Sequence, residues 1–169
     1  CRRLPKPHIS TYMYKPLVGL SYHQDQSGRI FDYEYDGLGR LCRTFVRNGT
    51  THGKELLSSC SYSYGSSAGS NRIRTRDYLG ADAASFKETN TYHDLLGRPV
   101  ETVMTAASPA GKDIVLLSEY DDFGRPYRKF CPVPMTTSTG AYASFSDIHP
   151  EILKFYNWEV YAFSKTLYD

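Results

Sequence analysis

Three observations predict a mainly β protein of antiparallel hairpin repeats, open at its edges, with one short helix near residues 147–156. The pattern Asp-x-x-Gly-Arg occurs four times, at 25–29, 36–40, 94–98 and 121–125. Aromatic residues alternate beside it, as in Ile30-Phe31-Asp32-Tyr33-Glu34-Tyr35. The many Tyr and Phe residues suit half-buried strands better than helices. A recurring motif in a short chain reads first as a repeat architecture.

The motif has a turn mechanism. Asp at the first position (Asp25, Asp36, Asp94, Asp121) accepts backbone N–H groups two residues on. Gly at the fourth (Gly28, Gly39, Gly97, Gly124) takes the left-handed conformation that closes a bulged hairpin. Arg follows in every copy (Arg29, Arg40, Arg98, Arg125), and Tyr precedes the Asp in two (Tyr35, Tyr120). Across a tight hairpin this Tyr and Arg are expected nearly opposite, in cation–π contact worth about 0.5–1 kcal/mol. The repeated Arg side chains also admit a sharper reading, as a binding site.

Taken in order, residues 1–9 form a basic, Pro-marked, extended lead-in. Residues 10–64 hold the first hairpins: a strand, a turn at Pro16, a second strand, then two motif copies 11 residues apart, as in a β-meander. A further hairpin is expected over the polar loop 48–54. Centred on Thr51, its register sets Cys42 opposite Cys60, Phe45 opposite Leu57 and Arg47 opposite Glu55. Cys42 and Cys60 are then either a disulfide or a pair of buried thiols. Residues 65–70 (Gly-Ser-Ser-Ala-Gly-Ser) are the linker.

The second part, 71–169, begins with an alternating strand. Its stripe of Arg72, Arg74 and Arg76 reads as a solvated face, or less readily as a contact for acidic partners. The third and fourth motif copies follow, each leading through Pro into a strand. Between them, residues 107–112 read as a loop and 113–117 as the most apolar strand. Pro132-Val133-Pro134 ends the strand pattern. The helix is signalled by Ser146 or Asp147 as cap, Pro150 in the first turn and an Ile148/Ile152/Leu153/Tyr156 stripe.

Composition excludes more than it identifies. Twenty basic against eighteen acidic side chains give a net charge of +2, too small to imply nucleic acid or a membrane surface. Fifteen Tyr and eight Phe beside one Trp suit half-buried strands. The five His and four Cys have no metal-ligand spacing. Asp25-Gln26-Ser27-Gly28 lacks the further acids of a calcium loop, and no nucleotide, hydrolase or cofactor fingerprint occurs. No cofactor and no enzyme activity are expected. Asn48-Gly49-Thr50 spells a glycosylation sequon, and Cys1 is either a lipid-attachment residue or simply where the fragment begins.

The stretches Tyr35-Asp36-Gly37-Leu38-Gly39-Arg40-Leu41 and Tyr120-Asp121-Asp122-Phe123-Gly124-Arg125 resemble YD repeats of the RHS (rearrangement hotspot) family. Residues 11–20 are similar to a segment common beside such repeats in Gram-negative bacteria. Residues 71–169 resemble a domain of unknown function found in bacterial RHS-repeat proteins, on Ile73-Arg74-Thr75-Arg76, residues 93–103, 111–115, 120–126, 140–142 and 161–165. The resemblance implies β-hairpins spiralling into a hollow shell around a C-terminal, often toxic, polypeptide. It implies a structural role at the cell surface, outer membrane or outside the cell, with toxin delivery as the process. The expected partners are the rest of a longer RHS polypeptide or its cargo, with self-association through open strand edges. This chain has too few repeats to close a shell and lacks the core motif that precedes the released segment. A carbohydrate- or surface-binding module using exposed Tyr and Arg is the main rival, and solvent-facing Tyr would favour it.

Overall fold

The computed structural model describes residues 9–47, 53–80 and 83–168. Cys1, the sequon at 48–50 and the tip of the hairpin around Thr51 lie outside them. The fold is mainly β and antiparallel, with a single α-helix among the described residues. No described helix is long and apolar enough to cross a membrane. Two compact units divide the chain, residues 1–60 with 77–86, and 61–76 with 87–169. The glycine- and serine-rich stretch 65–70 lies inside the second unit.

The first unit is a meander of β1 (Thr11–Lys15), β2 (Gly19–Gln24), β3 (Ile30–Tyr35), β4 (Leu41–Arg47) and the start of β5 (Lys54–Ser63). Alternation sets the faces. Pairings Tyr12↔His23, His23↔Phe31 and Phe31↔Val46 run along one face, and Met13↔Tyr22, Tyr22↔Asp32 and Asp32↔Phe45 along the other. On the first face Tyr12, His23 and Phe31 stack ring on ring, at 4.6 and 5.6 Å between centroids. On the second, Arg47 donates to both oxygens of Asp32. That bond, helped by Lys54, holds the Asp32 carboxyl below its usual range against the opposing effect of burial. No described apolar side chain of this unit is fully buried; its buried residues are Asp32 and Thr44.

The β4–β5 pairing departs from the expected register halfway. Thr44↔Ser58 and Arg43↔Ser59 follow it, but a bulge then shifts Phe45 to Leu56 and Arg47 to Lys54. A bulge adds one residue to one strand and cannot be read from alternation. Cys42 and Cys60 are thiols, not the disulfide that the register allowed. The Cys42 thiol instead donates to the Glu34 carbonyl at 3.3 Å.

The second unit carries the core. It contains β6 (Arg72–Tyr78, through Arg76), β7 (Phe86–His93, from Lys87), β8 (Pro99–Met104), β9 (Ile114–Tyr120), β10 (Pro126–Phe130), β11 (Val133–Pro134), α1 (Phe145–Phe155) and β12 (Phe163–Lys165). β7 to β10 are hydrogen-bonded in sequence, β12 pairs with β10, and β11 pairs with β9. Pro132-Val133-Pro134 therefore supplies a short strand and does not end the pattern. Tyr92, Val103, Val115, Leu117, Phe130 and Val133 meet Ile148 and Ile152 of α1 in one buried cluster.

The helix starts before the expected cap. Ser144 is the N-cap, and the Asp147 carboxylate accepts both the Ser144 N–H and its hydroxyl. Pro150 consequently sits inside the helix, not in its first turn. The Arg stripe is also not a solvated face. Arg76 donates to Glu88 at 2.7 Å and Arg74 to Asn90 at 3.4 Å, all half-buried or deeper. Acceptors two residues apart on a neighbouring strand were invisible until that strand was paired.

Candidate functional site

The four motif copies share one geometry. The Gly N–H donates to the Asp carbonyl at 2.8–3.0 Å, and the Asp N–H to the Arg carbonyl at 2.9–3.0 Å. Gly28, Gly39, Gly97 and Gly124 all take positive φ, between 76° and 85°. One Asp carboxylate oxygen accepts two backbone N–H groups of its own turn, for example those of Leu38 and Arg40 on Asp36.

The remaining oxygen takes the Arg side chain. Arg40, Arg98 and Arg125 donate Nε–H to Asp36, Asp94 and Asp121 at 2.7, 2.7 and 2.8 Å. In the first copy the Ser27 hydroxyl, at 2.6 Å, bonds the Asp25 carboxylate. All four carboxyls are held below the usual range. For Asp36 the Arg40 guanidinium is the main cause, and for Asp25 the Ser27 hydroxyl. For Asp94 and Asp121 desolvation opposes the shift and is outweighed by the Arg N–H and guanidinium.

Within a hairpin the Tyr does not face the Arg. Tyr35 pairs with Leu41 and Tyr120 with Pro126, because each turn carries an irregularity that moves the register by one. Stacking occurs between successive turns instead. Arg98 lies over the ring of Tyr120 at 4.5 Å, and the Tyr120 hydroxyl donates to the Pro99 carbonyl at 2.9 Å. Arg125 lies over Tyr168 at 4.1 Å, and that hydroxyl donates to the Pro126 carbonyl at 2.8 Å. The Tyr35 hydroxyl donates in the same way to Leu20, at 2.8 Å. There Gly19 stands where the other turns have Arg, and a Cβ on it would meet the Tyr35 oxygen at 2.8 Å. Each such Tyr thus locks its strand onto the turn of the hairpin before it.

A fifth turn of the same kind has neither Asp nor Arg. In Ser108-Pro109-Ala110-Gly111-Lys112 the Gly111 N–H donates to Ser108 and the Ser108 N–H to Lys112, both at 2.9 Å. The Ser108 hydroxyl accepts the Lys112 N–H at 2.8 Å, as an Asp carboxylate does elsewhere, and φ of Gly111 is 67°. Only the glycine spacing could have revealed it in the sequence.

Two further buried carboxylates, Asp113 and Glu101, were not legible in the sequence. Asp113 is satisfied: it accepts the N–H groups of Ala106 and Gly140 and the Thr137 hydroxyl. Glu101 is 1% exposed. Its oxygens share the Ala143 N–H at 3.2 and 3.4 Å. Burial pushes its carboxyl up to about 7. Glu101 belongs to the inward set of β8 with Val103, opposite Leu117. The apolar residues of Pro99–Met104 do not alternate cleanly, so that inward set was not legible.

Among the described residues no three His, Cys, Asp or Glu side chains gather as a metal site requires. In three of the four copies the motif Arg side chain is bonded to the Asp of its own turn, while the Arg29 side chain is exposed.

No curated protein matches this chain. A family model described as a domain of unknown function (DUF6443) matches residues 67–169, which take in the last two motif copies, the Ser108 turn, both buried carboxylates and the helix. That match spans well over half of the sequence, and the chain belongs to this family, DUF6443.

Proposed function

We infer that the chain is a structural YD-repeat segment of an RHS-type protein, exported or held at the cell surface. In that reading its strands contribute sheet to a shell that encloses a C-terminal, often toxic, polypeptide. The observation that carries it is the coupling of successive turns by Arg and Tyr. Each Tyr serves the preceding turn while the following Asp opens the next, which suits a structure assembled by repetition. Tyr168 takes toward Arg125 and Pro126 the place that Tyr120 takes toward Arg98 and Pro99, and the residue after it is Asp169.

A direct test extends the chain after Asp169 with a second copy of residues 122–130. A repeat-forming protein gains a strand on β12, and amides of Phe163–Lys165 exchange at least tenfold more slowly. A scrambled extension leaves them unchanged. Equal exchange with both extensions would overturn the reading.

Exposed phenols favour a second reading, a carbohydrate- or surface-binding module. Tyr12, Tyr14, Tyr64 and Tyr161 are more than half exposed. In the Tyr12–His23–Phe31 row, however, the rings cover one another's faces, and sugars stack on faces. Glycan-array binding lost on Tyr64→Ala would favour this reading over the first.

A further inference from the structure

We propose that the hollow beside His93 receives a tyrosyl side chain from another polypeptide, with its ring on the imidazole and its hydroxyl on the Arg72 carbonyl. The registers carry the argument. Counted on from the β2–β3, β8–β9 and β10–β12 pairs, they set Tyr35 opposite Gly19, Tyr120 opposite Arg98 and Tyr168 opposite Arg125. In each case the phenol donates to the carbonyl of the next residue, Leu20, Pro99 or Pro126. The β6–β7 junction repeats this frame without the phenol. His93 stands before Asp94 where a tyrosine stands elsewhere, and its N–H donates to the Asn71 carbonyl at 2.8 Å. Asn71 thus holds the place of Arg98, and the Arg72 carbonyl holds that of the Pro99 carbonyl.

The imidazole is shorter than the phenol it replaces, and Asn71 does not cover the place as Arg98 does. The Asn71 amide is turned to its own loop, where it accepts the Gly65 N–H at 3.0 Å and donates to the Asp94 carbonyl at 3.5 Å. Among the described residues the His93 ring makes no hydrogen bond, ion pair or ring contact. What remains is a hollow of about 480 Å³ bordered by His93, Asn71, Arg72, Ile73, Leu95 and Leu96. Asp94 also borders it, but its carboxylate is bonded to its own turn and to Arg98. The faces agree. Arg74 donates to Asn90, so Arg72 and Arg74 project to the side of Asn90, and Ile73 and His93 to the other. What Arg72 brings to the hollow is therefore main chain. An apolar wall, an imidazole face and a carbonyl acceptor suit a phenol. The first unit already makes such a stack, Tyr12 on His23 at 4.6 Å. Leu95 and Leu96, 73% and 78% exposed, carry the apolar wall beyond the place of the ring, which suits a side chain borne on a polypeptide. The proposal rests on the geometry of the turns and not on the shell reading, and either can fail without the other.

The test is a titration of the full 169-residue, ¹⁵N-labelled protein with N-acetyl-tyrosinamide. Saturable shifts are expected at the amides of Ile73, His93, Leu95 and Leu96. N-acetyl-phenylalaninamide, which has no hydroxyl for the Arg72 carbonyl, should bind at least tenfold more weakly. His93→Tyr fills the place from within, so it should abolish the response and raise the melting temperature by about 2–4 °C. Lys112→Ala, in the turn at the other end of β8, should leave the response unchanged. The comparison of the two amides on the unaltered protein stands even if His93→Tyr misfolds. Shifts that never saturate, equal binding of the two amides, or an undiminished response in folded His93→Tyr overturn the proposal. Binding of p-cresol as tight as that of N-acetyl-tyrosinamide would make this a site for a free phenol and overturn the assignment to a polypeptide. Shifts at these amides on concentrating the protein alone would overturn it in favour of a second copy of the chain.

Discussion

Gly39 shows what a single position in the repeated turn demands. Its φ is 76°, and a Cβ there would meet nothing within 4 Å. The cost of a side chain is therefore backbone strain alone, not a clash. A β-branched residue is a poor fit at positive φ, so Gly39→Val should cost about 2 kcal/mol, read as a lower melting temperature. An unchanged value would mean that the turn reorganises at no cost. Glu101 presents the opposite case, a charge confined by the core. Its folded carboxyl titrates near 7, against 4.5 for the ordinary group. Between those values the unfolded chain releases the proton while the folded chain keeps it, so stability falls as pH rises through this window and levels off above it. Glu101→Gln removes that slope and should gain up to about 3 kcal/mol at pH 8. Urea titrations of both proteins at pH 5 and pH 8 measure it. Equal slopes in the two proteins would show that Glu101 does not titrate in this range.

At the scale of elements, the hairpins were legible because Asp-x-x-Gly-Arg states its own geometry: an acceptor, a left-handed glycine and a following strand. What was not legible is how one hairpin engages the next. The Tyr–Arg contact was anticipated in kind, but between the wrong partners. The register shift at each turn, which sets Tyr120 against Pro126, arises from backbone geometry and leaves no mark in the side-chain pattern. The Ser108 turn was missed because its chemistry is carried by a hydroxyl in place of a carboxylate. These contacts have different weights. Arg98→Ala should lose the Tyr120 stack and the Asp94 bond together, about 1–2 kcal/mol, whereas Ser108→Ala should lose about 1 kcal/mol. The helix was placed from its apolar stripe, but its start was set by Ser144 and Asp147. Ser144→Ala should cost about 1 kcal/mol and fray the first turn in hydrogen exchange.

The whole molecule combines two kinds of sheet. The second unit has a core of its own, and its strands should show the strongest amide protection, in β8 and β9. The first unit buries no apolar side chain fully among its described residues and is held by cross-strand pairs, the Tyr12–His23–Phe31 stack and the Asp32–Arg47 bond. A sheet of this kind is marginal alone, and its strands should exchange faster than β8 and β9. The same reasoning bears on the edges. β1 ends the strand order of the first unit and β12 that of the second, and all five residues of β1 are exposed. An open edge carries unpaired N–H and C=O groups and accepts another strand. In a longer repeat protein, adjoining hairpins would cover these edges. In the 169-residue chain they should either pair between molecules or exchange near the intrinsic rate. Light scattering over a concentration series, with hydrogen exchange at Thr11–Lys15 and Phe163–Lys165, checks this. Rising mass with protection of β1 or β12 identifies the edge that pairs, and constant mass with fast exchange identifies a raw one. A monomer strongly protected at both segments would show a self-sufficient domain, and the repeat-segment reading would have to be abandoned.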